Sequence, residues 1–315
     1  MKVIVTGAAG FIGFHLSKKL LELGYEVLGI DNISDYYDIS IKEKRISFLR
    51  NSKNFLFLKL DLNDYSNLNN SIIDFQPKII YHLAAQAGVR YSVENPIGTV
   101  NANVQITINL LESCKENGIK DFVYASSSSV YGSNINPPFK ETDVIDSPVS
   151  VYAASKRSCE LMLHVYHKMY GLNVKILRFF TVYGPWNRPD MAIYKFSRQI
   201  INDKSIKVYN NGDHFRDFTF VSDIVDGLIG SLSSDKGYDI FNLGSDEPVS
   251  LKELINKLEL RLGKEATKEY LPLQKGDVYL THASIEKARR MFGYSPKVKF
   301  DEGLDLFIEW FIKHH

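Results

Sequence analysis

The sequence predicts an α/β protein with a doubly wound parallel sheet and a smaller C-terminal α/β lobe. Up to about residue 180, short β-branched runs alternate with amphipathic segments, and this order places helices on both faces of a parallel sheet. A glycine-rich turn joins the first strand to the first helix. After residue 180, loops rich in aromatic residues, Pro and Gly separate shorter elements, which indicates a second lobe.

Strands are assigned to the β-branched runs and helices to the amphipathic segments between them. The elements predicted in chain order are strand 2–6, helix 11–23, strand 26–30, strand 55–60, helix 65–75, strand 78–82, helix 96–117, strand 121–126, helix 151–170 and strand 173–179. We therefore assign residues 1–180 to a nucleotide-binding domain, to which 217–239 returns. Residues 181–216 and 240–315 form the smaller lobe, and a ligand is expected in the crevice between the two.

Composition narrows the range of partners and locations. The 315 residues carry a formal net charge of +1, which gives no reason to expect binding to nucleic acid or to an anionic membrane. The N-terminal apolar run is too short for a signal peptide, and no later run is long enough to span a bilayer. Cys114 and Cys159 fall in predicted helices and are interpreted as buried apolar residues. A soluble, cytoplasmic protein is expected.

The turn after the first strand predicts a dinucleotide site. Gly7, Gly10 and Gly13 lie between strand and helix, with Phe11 and Ile12 inside the turn. Without side chains at the glycines, backbone amides and the positive end of the helix dipole can approach a pyrophosphate. The sequence therefore predicts that the start of the first helix binds the phosphates of a dinucleotide.

Residues after the next strands extend this predicted site. Asp31, followed by Asn32, ends the second strand, where a carboxylate accepts hydrogen bonds from ribose hydroxyls and repels a 2′-phosphate. NAD is therefore favoured over NADP. Asp61 and Leu62 are placed to meet the adenine, and the small residues of the segment Leu83, Ala84 and Ala85 let the backbone pass close to a flat cofactor.

A proton-transfer site is predicted from a serine run and a Tyr–Lys pair. Ser127 lies in a run of four serines at a strand end, and Tyr152 and Lys156 are four residues apart on one helical face. An ammonium near a phenol favours the phenolate and so lowers its pKa. Redox chemistry at a carbon bearing a hydroxyl follows from this grouping.

Along essentially its whole length the chain resembles the extended short-chain dehydrogenase/reductase superfamily of nucleotide-sugar epimerases and dehydratases, which has a Rossmann sheet. The motifs that carry the resemblance are Gly7–Gly13, His82–Ala85, Asn103, Ser126–Gly132, Tyr152–Lys156, Arg178–Pro185 and Arg216–Phe218. The resemblance implies that Tyr152 is the general base, that Lys156 binds the nicotinamide ribose, and that Ser127 binds the sugar hydroxyl. It also implies that Asn103 supports this region.

The serine run also discriminates between reactions of that superfamily. Dehydratases typically have acidic residues just before the Val-Tyr-Gly element, and UDP-glucuronate decarboxylases typically have a Glu there. Here Ser128 and Ser129 occupy these positions. Without a second acid or base, epimerisation is favoured over elimination.

On the substrate side the resemblance implies a UDP-sugar. Arg216 resembles an arginine that contacts the diphosphate, as suits a bidentate guanidinium, and Asp277 resembles a residue near the nucleoside. Residues that by resemblance line the sugar and uracil pocket are Thr181, Met191, Ala192, Val208 and Tyr209.

The run Arg188-Pro189-Asp190-Met191-Ala192 resembles the UDP-glucuronate 4-epimerase group, as does the segment that contains Arg90. Arg188 is expected to face a C6 carboxylate, and Arg90 is a second candidate; the alternative is that Arg188 stabilises its loop. Thr181, Ser127 and Ser128 are expected to help hold that carboxylate.

Rival functions are a 4-epimerase of UDP-glucose or UDP-N-acetylglucosamine, a UDP-glucuronate decarboxylase or dehydratase, and a non-catalytic NAD-binding regulator. A homodimer is expected because the helices predicted over 96–117 and 151–170 resemble those of a four-helix dimer interface. His164 and His167 have a spacing that can bind metal, but no acidic residue is grouped with them and no metal is expected.

Overall fold

The computed structural model of the chain describes residues 1–272 and 278–314. Its strands are β1 (Lys2–Thr6), β2 (Glu26–Asp31), β3 (Phe55–Lys59), β4 (Ile79–His82), β5 (Asp121–Ser127), β6 (Asn173–Phe179), β7 (Thr181–Tyr183), β8 (Ile206–Tyr209), β9 (Phe215–Phe220), β10 (Tyr238–Leu243), β11 (Pro248–Ser250) and β12 (Lys268–Leu271). Its helices are α1 (Phe11–Glu22), α2 (Ile39–Leu49), α3 (Tyr65–Phe75), α4 (Val89–Glu94), α5 (Pro96–Val100), α6 (Ile106–Asn117), α7 (Val151–Tyr170), α8 (Ala192–Ile201), α9 (Val221–Gly230), α10 (Leu251–Leu262), α11 (Glu286–Phe292) and α12 (Phe300–His314).

Seven parallel strands of the described chain form the central sheet, in the order β10-β6-β5-β4-β1-β2-β3. The chain builds outward from β1 to β3 and then returns to add β4 on the other side of β1. This reversal creates a crevice at the carboxyl ends of β1 and β4. The predicted fold class, a doubly wound parallel sheet, is confirmed.

Alternation along each strand directs neighbouring side chains into two separate cores. Val3 and Val5 face one core, which includes residues of α1 and α9. Ile4 faces the other, which includes residues of α3, α6 and α7. Because strand side chains point alternately to opposite faces, a continuous apolar strand is buried on both sides. Cys114 and Cys159 are buried and unpaired in the second core, as predicted.

Two smaller sheets lie beyond the central one in the described chain, in the orders β11-β9-β7 and β12-β8. The segment 217–239 begins in β9, continues through α9, which packs on α1, and enters β10 of the central sheet. β10 extends to Leu243, beyond the predicted end of this returning segment. The division into two binding domains stays a prediction.

Helix α2 was not predicted, and its composition explains why. Its buried face includes Lys42 and Arg45 rather than an apolar stripe, so hydrophobic periodicity gives no signal. The Asp38 side chain accepts a hydrogen bond from the amide of Ser40 at 2.9 Å and caps its start. The short helix α4 was also missed, and the helix predicted over 96–117 is interrupted by a wide π-helical turn, Asn101–Gln105. None of the helices in the described chain has the length and apolarity that a bilayer crossing requires.

Candidate active site

A cavity of about 550 Å³ occupies the crevice at the carboxyl ends of the central strands. Its wall brings together many residues that the sequence singled out: Gly7, Gly10, Phe11, Ile12, Gly13, Asp31, Asn32, Asp61, Leu62, Leu83, Ala84, Ala85, Ser127, Ser128, Tyr152, Lys156, Thr181, Arg188 and Met191. The predicted cofactor and proton-transfer groups therefore share one cavity.

The glycine turn has no room for side chains. Gly7 has a φ of +71°, and a Cβ added there would lie 2.8 Å from the Ala84 amide nitrogen. A Cβ on Gly13 would lie 2.1 Å from the Gly7 carbonyl oxygen. Gly10 begins α1 without a side-chain cap, so the helix presents its positive dipole end and first-turn amides at this wall.

Asp31 lies at the end of β2 and organises the same wall. Its carboxylate accepts hydrogen bonds from the amides of Ile33 at 2.8 Å and Ala9 at 3.1 Å. Behind it, Arg45 of α2 donates to the Ala9 carbonyl at 2.8 Å and to the Trp186 carbonyl at 2.6 Å. Arg45 therefore connects the glycine turn to the loop that contains Arg188.

The serine run and Tyr152 meet because β5 ends, and α7 begins, at the same edge of the central sheet. The Ser150 side chain caps α7 by accepting from the Ala153 amide at 3.1 Å, which puts Tyr152 in the first helical turn. The Ser127 hydroxyl lies near enough to the Tyr152 phenol to lower its pKa. Ser127 also accepts a hydrogen bond from the Ser129 amide at 3.2 Å, which fixes its position at the start of a 3₁₀ turn.

The pKa of the Tyr152 phenol in the chain alone differs from the predicted one. Burial raises the pKa of the Tyr152 phenol, whereas the Ser127 hydroxyl and the Arg188 charge lower it. The Lys156 ammonium donates to the Ala125 carbonyl at 2.7 Å and lies over the Tyr124 ring. Burial lowers the pKa of Lys156 to about 8. The predicted depression of the phenol pKa is therefore absent in the chain alone, since desolvation is the larger effect.

Asn103 lies behind the cavity wall and joins two of its segments. Its side-chain oxygen accepts from the Gln86 amide at 2.7 Å, and its side-chain nitrogen donates to the Ser155 hydroxyl at 2.8 Å. Ser155 in turn donates to the Tyr152 carbonyl at 2.8 Å. The π-helical turn thus places the buried Asn103 side chain between two segments, and its hydrogen bonds hold the segment after β4 against the start of α7.

Arg188 lines the cavity but already has an anionic partner. Its Nε lies 3.0 Å from Asp190 Oδ1, and its Nη2 binds the other carboxylate oxygen. The Tyr36 hydroxyl donates to the same carboxylate at 3.3 Å. This pairing matches the alternative interpretation, in which Arg188 stabilises its loop, although the guanidinium remains on the cavity wall.

The other predicted substrate residues lie apart from the cavity wall within the described part of the chain. The Arg90 guanidinium stacks 5.4 Å from the centre of the Tyr209 ring, and Arg216 donates to the Phe215 and Tyr279 carbonyls. Ala192 begins α8, and Val208 is buried in β8. Asp277 lies outside the described residues.

Several wall residues escaped sequence reasoning, among them Ser34, Tyr36, Tyr37, Lys42, Gln86, Asn187 and Asp190. Asp190 was within the quoted Arg-Pro-Asp-Met-Ala run, so the motif contained a signal that was not used. Tyr36 and Tyr37 precede the unpredicted helix α2, and without that helix their place at the cavity could not be inferred.

The histidine pair on α7 has structural contacts. The His164 ring packs edge-on against Tyr238, and His167 Nδ1 lies 2.8 Å from the Leu172 carbonyl oxygen. Across residues 1–272 and 278–314, no cluster of three or more His, Cys, Asp or Glu side chains is placed to hold a metal ion.

Comparison with known proteins places the chain in a family. The sequence model described as GDP-mannose 4,6 dehydratase matches residues 4–307. A UDP-glucuronate 4-epimerase of Thermodesulfobacterium geofontis is 43% identical over 308 residues, covering 98% of this chain and 95% of the relative. The chain belongs to this family of extended short-chain dehydrogenases/reductases.

Solved structures of family members have the same fold. The UDP-glucuronic acid 4-epimerase of Bacillus cereus, in complex with UDP-glucuronic acid and NAD, superimposes with a TM-score of 0.94 at 36% identity, covering 100% of both chains. The UDP-glucose 4-epimerase of Thermotoga maritima, with UDP-glucose, superimposes with a TM-score of 0.92 at 30% identity, covering 100% of this chain and 99% of the other. The family predicted from the motifs is confirmed.

Proposed function

We propose that the chain is an isomerase: an NAD-dependent 4-epimerase of a UDP-sugar, which interconverts UDP-glucuronate and UDP-galacturonate through a 4-keto intermediate. The observation that carries the proposal is the placement of Ser127, Tyr152 and Lys156 on one cavity wall with the glycine turn. The relatives that act on UDP-glucuronate, and the neighbour solved with UDP-glucuronic acid and NAD, support it.

The residues present fit NAD. The glycine turn leaves space that a Cβ at Gly7 or Gly13 would fill, at the amide-rich start of α1. The Asp31 carboxylate on the same wall suits ribose hydroxyls and disfavours a 2′-phosphate. We assign cofactor binding to 1–180 with 217–239, and nucleotide-sugar binding to 181–216 and 240–315.

Proton transfer is assigned to Tyr152. Its phenolate removes the proton from O4 of the sugar and later returns it, while Ser127 binds the same oxygen. When bound, NAD supplies the acceptor for the C4 hydride and the donor that returns it, and its positive ring adds to the charge that favours the phenolate. Between the two transfers the 4-keto sugar rotates about its bond to the diphosphate and presents its other face.

A uronate requires more than proton transfer, because a 4-keto-uronate is a β-keto acid that loses CO₂ easily. Decarboxylation needs the carboxylate to stand perpendicular to the ring carbonyl. Thr181, Ser128 and Arg188 line the cavity and are assigned to hold the carboxylate away from that orientation. A substrate carboxylate at Arg188 shares or replaces the contact with Asp190.

The remaining predicted residues are assigned to nucleotide binding. Arg216 is assigned to the diphosphate and Tyr209 to the sugar and uracil pocket. Arg90, the second candidate for the C6 carboxylate, lies 5.4 Å from the centre of the Tyr209 ring. Val208, Ala192 and Asp277 are assigned to the uracil and ribose pocket by resemblance.

Incubation with single UDP-sugars tests the function. We expect UDP-glucuronate to yield UDP-galacturonate without CO₂ release, with added NAD not consumed. The alternative, a UDP-glucose 4-epimerase, is favoured by the Thermotoga maritima neighbour and would convert UDP-glucose faster than the uronate. Release of a UDP-pentose from the wild-type protein would indicate a decarboxylase, and inactivity with every UDP-sugar would contradict an epimerase.

Replacement Arg188→Ala is expected to raise KM for UDP-glucuronate by about tenfold or more, since a charge-assisted hydrogen bond is lost. It is also expected to release some UDP-pentose with CO₂, because the carboxylate is less restrained. Product separation and CO₂ measurement check both effects. Arg198→Ala, on an exposed position of α8, is the matched control; kinetics and product purity like the wild type in Arg188→Ala would contradict the assignment.

A homodimer is proposed through α5 and α7, which pack against each other. Leu161, Val165 and Met169 recur every four residues along α7 and are exposed, as is Ile97 of α5. Such an apolar stripe on adjacent helices suits a second copy of the same surface. Sedimentation is expected to give a dimer for the wild type and for Leu260→Glu, an exposed position of α10, and a monomer for Val165→Glu; a monomeric wild type would contradict the proposal.

A further inference from the structure

A buried ion pair lies directly behind the serine run and has no part in the mechanism above. Arg178 of β6 binds Glu160 of α7 with both ends of its guanidinium, at 3.0 Å from Nε to Oε1 and 2.9 Å from Nη2 to Oε2. Both side chains are essentially inaccessible to solvent. A buried pair of this kind is often no more stabilising than apolar residues of similar volume, so its contacts are the better guide to its role.

The pair contacts the serine run at its first residue and the chain just after it. At the first residue, the Ser126 hydroxyl donates to Glu160 Oε1 at 2.7 Å. After it, the Arg178 Nη1 donates to the Tyr131 hydroxyl at 3.1 Å. Residues 127–130 are thus bracketed by two contacts to one ion pair.

Tyr131 extends the network toward the smaller sheets. Its hydroxyl donates to the Asn242 side-chain oxygen at 2.6 Å, and the Asn242 amide donates to the Phe139 carbonyl at 2.9 Å. The polar atoms of Glu160 and Arg178 therefore have partners on α7, β5, β6 and the turn after β5. A fully satisfied buried network fixes one arrangement of the elements it joins.

Helix α7 forms side-chain hydrogen bonds to two consecutive residues of β5, Ala125 and Ser126. One turn before Glu160, Lys156 donates to the Ala125 carbonyl at 2.7 Å, and Glu160 accepts from Ser126. These contacts set the register of α7 on the strand immediately before Ser127. A change of register would move Ser127 relative to Tyr152, which lies on the first turn of α7.

We propose that Glu160 and Arg178 are positioning residues of the catalytic site, which hold the serine run against α7 so that Ser127 stays beside the Tyr152 phenol on the cavity wall. This inference rests on the proposed epimerase function. Neither residue touches the reacting atoms, so their loss acts on catalysis through Ser127 and Lys156.

Steady-state kinetics of the holoenzyme with UDP-glucuronate test this role. Glu160→Gln is expected to lower kcat at least about tenfold, because small misplacements of catalytic groups are costly, with KM within about twofold. Ser126→Ala, which removes one hydroxyl and leaves the ion pair, is expected to lower kcat several-fold with the same unchanged KM. The control is Arg157→Gln: Arg157 reaches Glu160 from the partly exposed side at 3.3 Å, and wild-type kinetics are expected.

The pH profile separates positioning from general loss of packing. The groups facing the Lys156 ammonium are Tyr124 of β5, His82 of β4, and Cys159 and Glu160 of its own helix. The Glu160 charge raises the pKa of Lys156, and burial lowers it to about 8. Glu160→Gln is therefore expected to move the alkaline limb of kcat to lower pH, whereas Arg157→Gln leaves it in place.

Folded Glu160→Gln and Ser126→Ala variants with wild-type kcat and an unmoved alkaline limb would overturn the proposal. If Glu160→Gln does not fold, Ser126→Ala decides it alone. A wild type that is inactive with every UDP-sugar would contradict the proposed function instead. Crystal structures of the wild type and the variants then decide positioning, which requires the Ser127 hydroxyl of the variants to be displaced relative to the Tyr152 phenol.

Discussion

Replacement Tyr152→Phe is expected to lower kcat for UDP-glucuronate by about 10³-fold, within the range usual for loss of a general acid–base group. The phenol is the group assigned to take and return the O4 proton. No other residue on the described cavity wall is assigned this role. Phe keeps the ring and its packing in the first turn of α7. Binding of NAD and of the UDP-sugar is therefore expected to change by no more than about twofold, the effect being confined to the chemical step.

A matched control for this variant lies on the same helix. Tyr166→Phe removes a hydroxyl that donates to Glu112, away from the cavity wall, and is expected to leave kcat unchanged. Rates are compared by separation of the two UDP-uronates, and retained NAD is measured after gel filtration. A Tyr152→Phe variant with more than about a tenth of the wild-type kcat would contradict the assignment of Tyr152 as general base.

Replacement Lys156→Met is expected to lower kcat by about 10²-fold, an effect typical of losing one preorganised charge or donor. Met is similar in length and apolar, so it suits a buried position with little loss of packing. Loss of the ammonium removes a positive charge from the cavity wall that carries Tyr152 and frees the Ala125 carbonyl. Retention of NAD is also expected to fall, because Lys156 is assigned to the nicotinamide ribose.

The pH dependence of kcat is the clearest test of the Lys156→Met variant. Burial lowers the pKa of Lys156 to about 8, so its charged form is lost as the pH rises through about 8. Wild-type kcat is therefore expected to fall above that pH, and the residual activity of Lys156→Met is expected to lack this limb. Lys168→Met, exposed on the same helix, should keep the wild-type profile. An alkaline limb unchanged in Lys156→Met would assign it to another group.

Motifs that depend on neighbouring residues were predictable from the chain itself. Gly7 and Gly13 were identified from their place between strand and helix, and the structure gives the steric reason, since a Cβ at either clashes with backbone. Tyr152 and Lys156 were identified from helical spacing and lie on one cavity wall. The family, predicted from these motifs together, is confirmed.

Features that depend on distant partners were not predictable. Helix α2 was missed because its buried side chains include Lys42 and Arg45, and Arg45 binds the carbonyls of Ala9 and Trp186, which are far from it in the chain. The raised pKa of the Tyr152 phenol in the chain alone was not predicted, because spacing on a helix gives no measure of burial. The partner of Arg188 is a different case, because Asp190 lies two residues away, within the quoted run, and its charge was a local signal that was not used.

The sequence by itself determined most strands and helices of residues 1–180, the glycine turn and the Tyr–Lys pair, because each depends on local periodicity or on steric limits within a few residues. Only the tertiary structure decided which distant groups surround them: the Glu160–Arg178 pair behind the serine run and the Asn103 link to α7. Burial and opposite charge act through space, and their strength is set by packing between elements far apart in the chain.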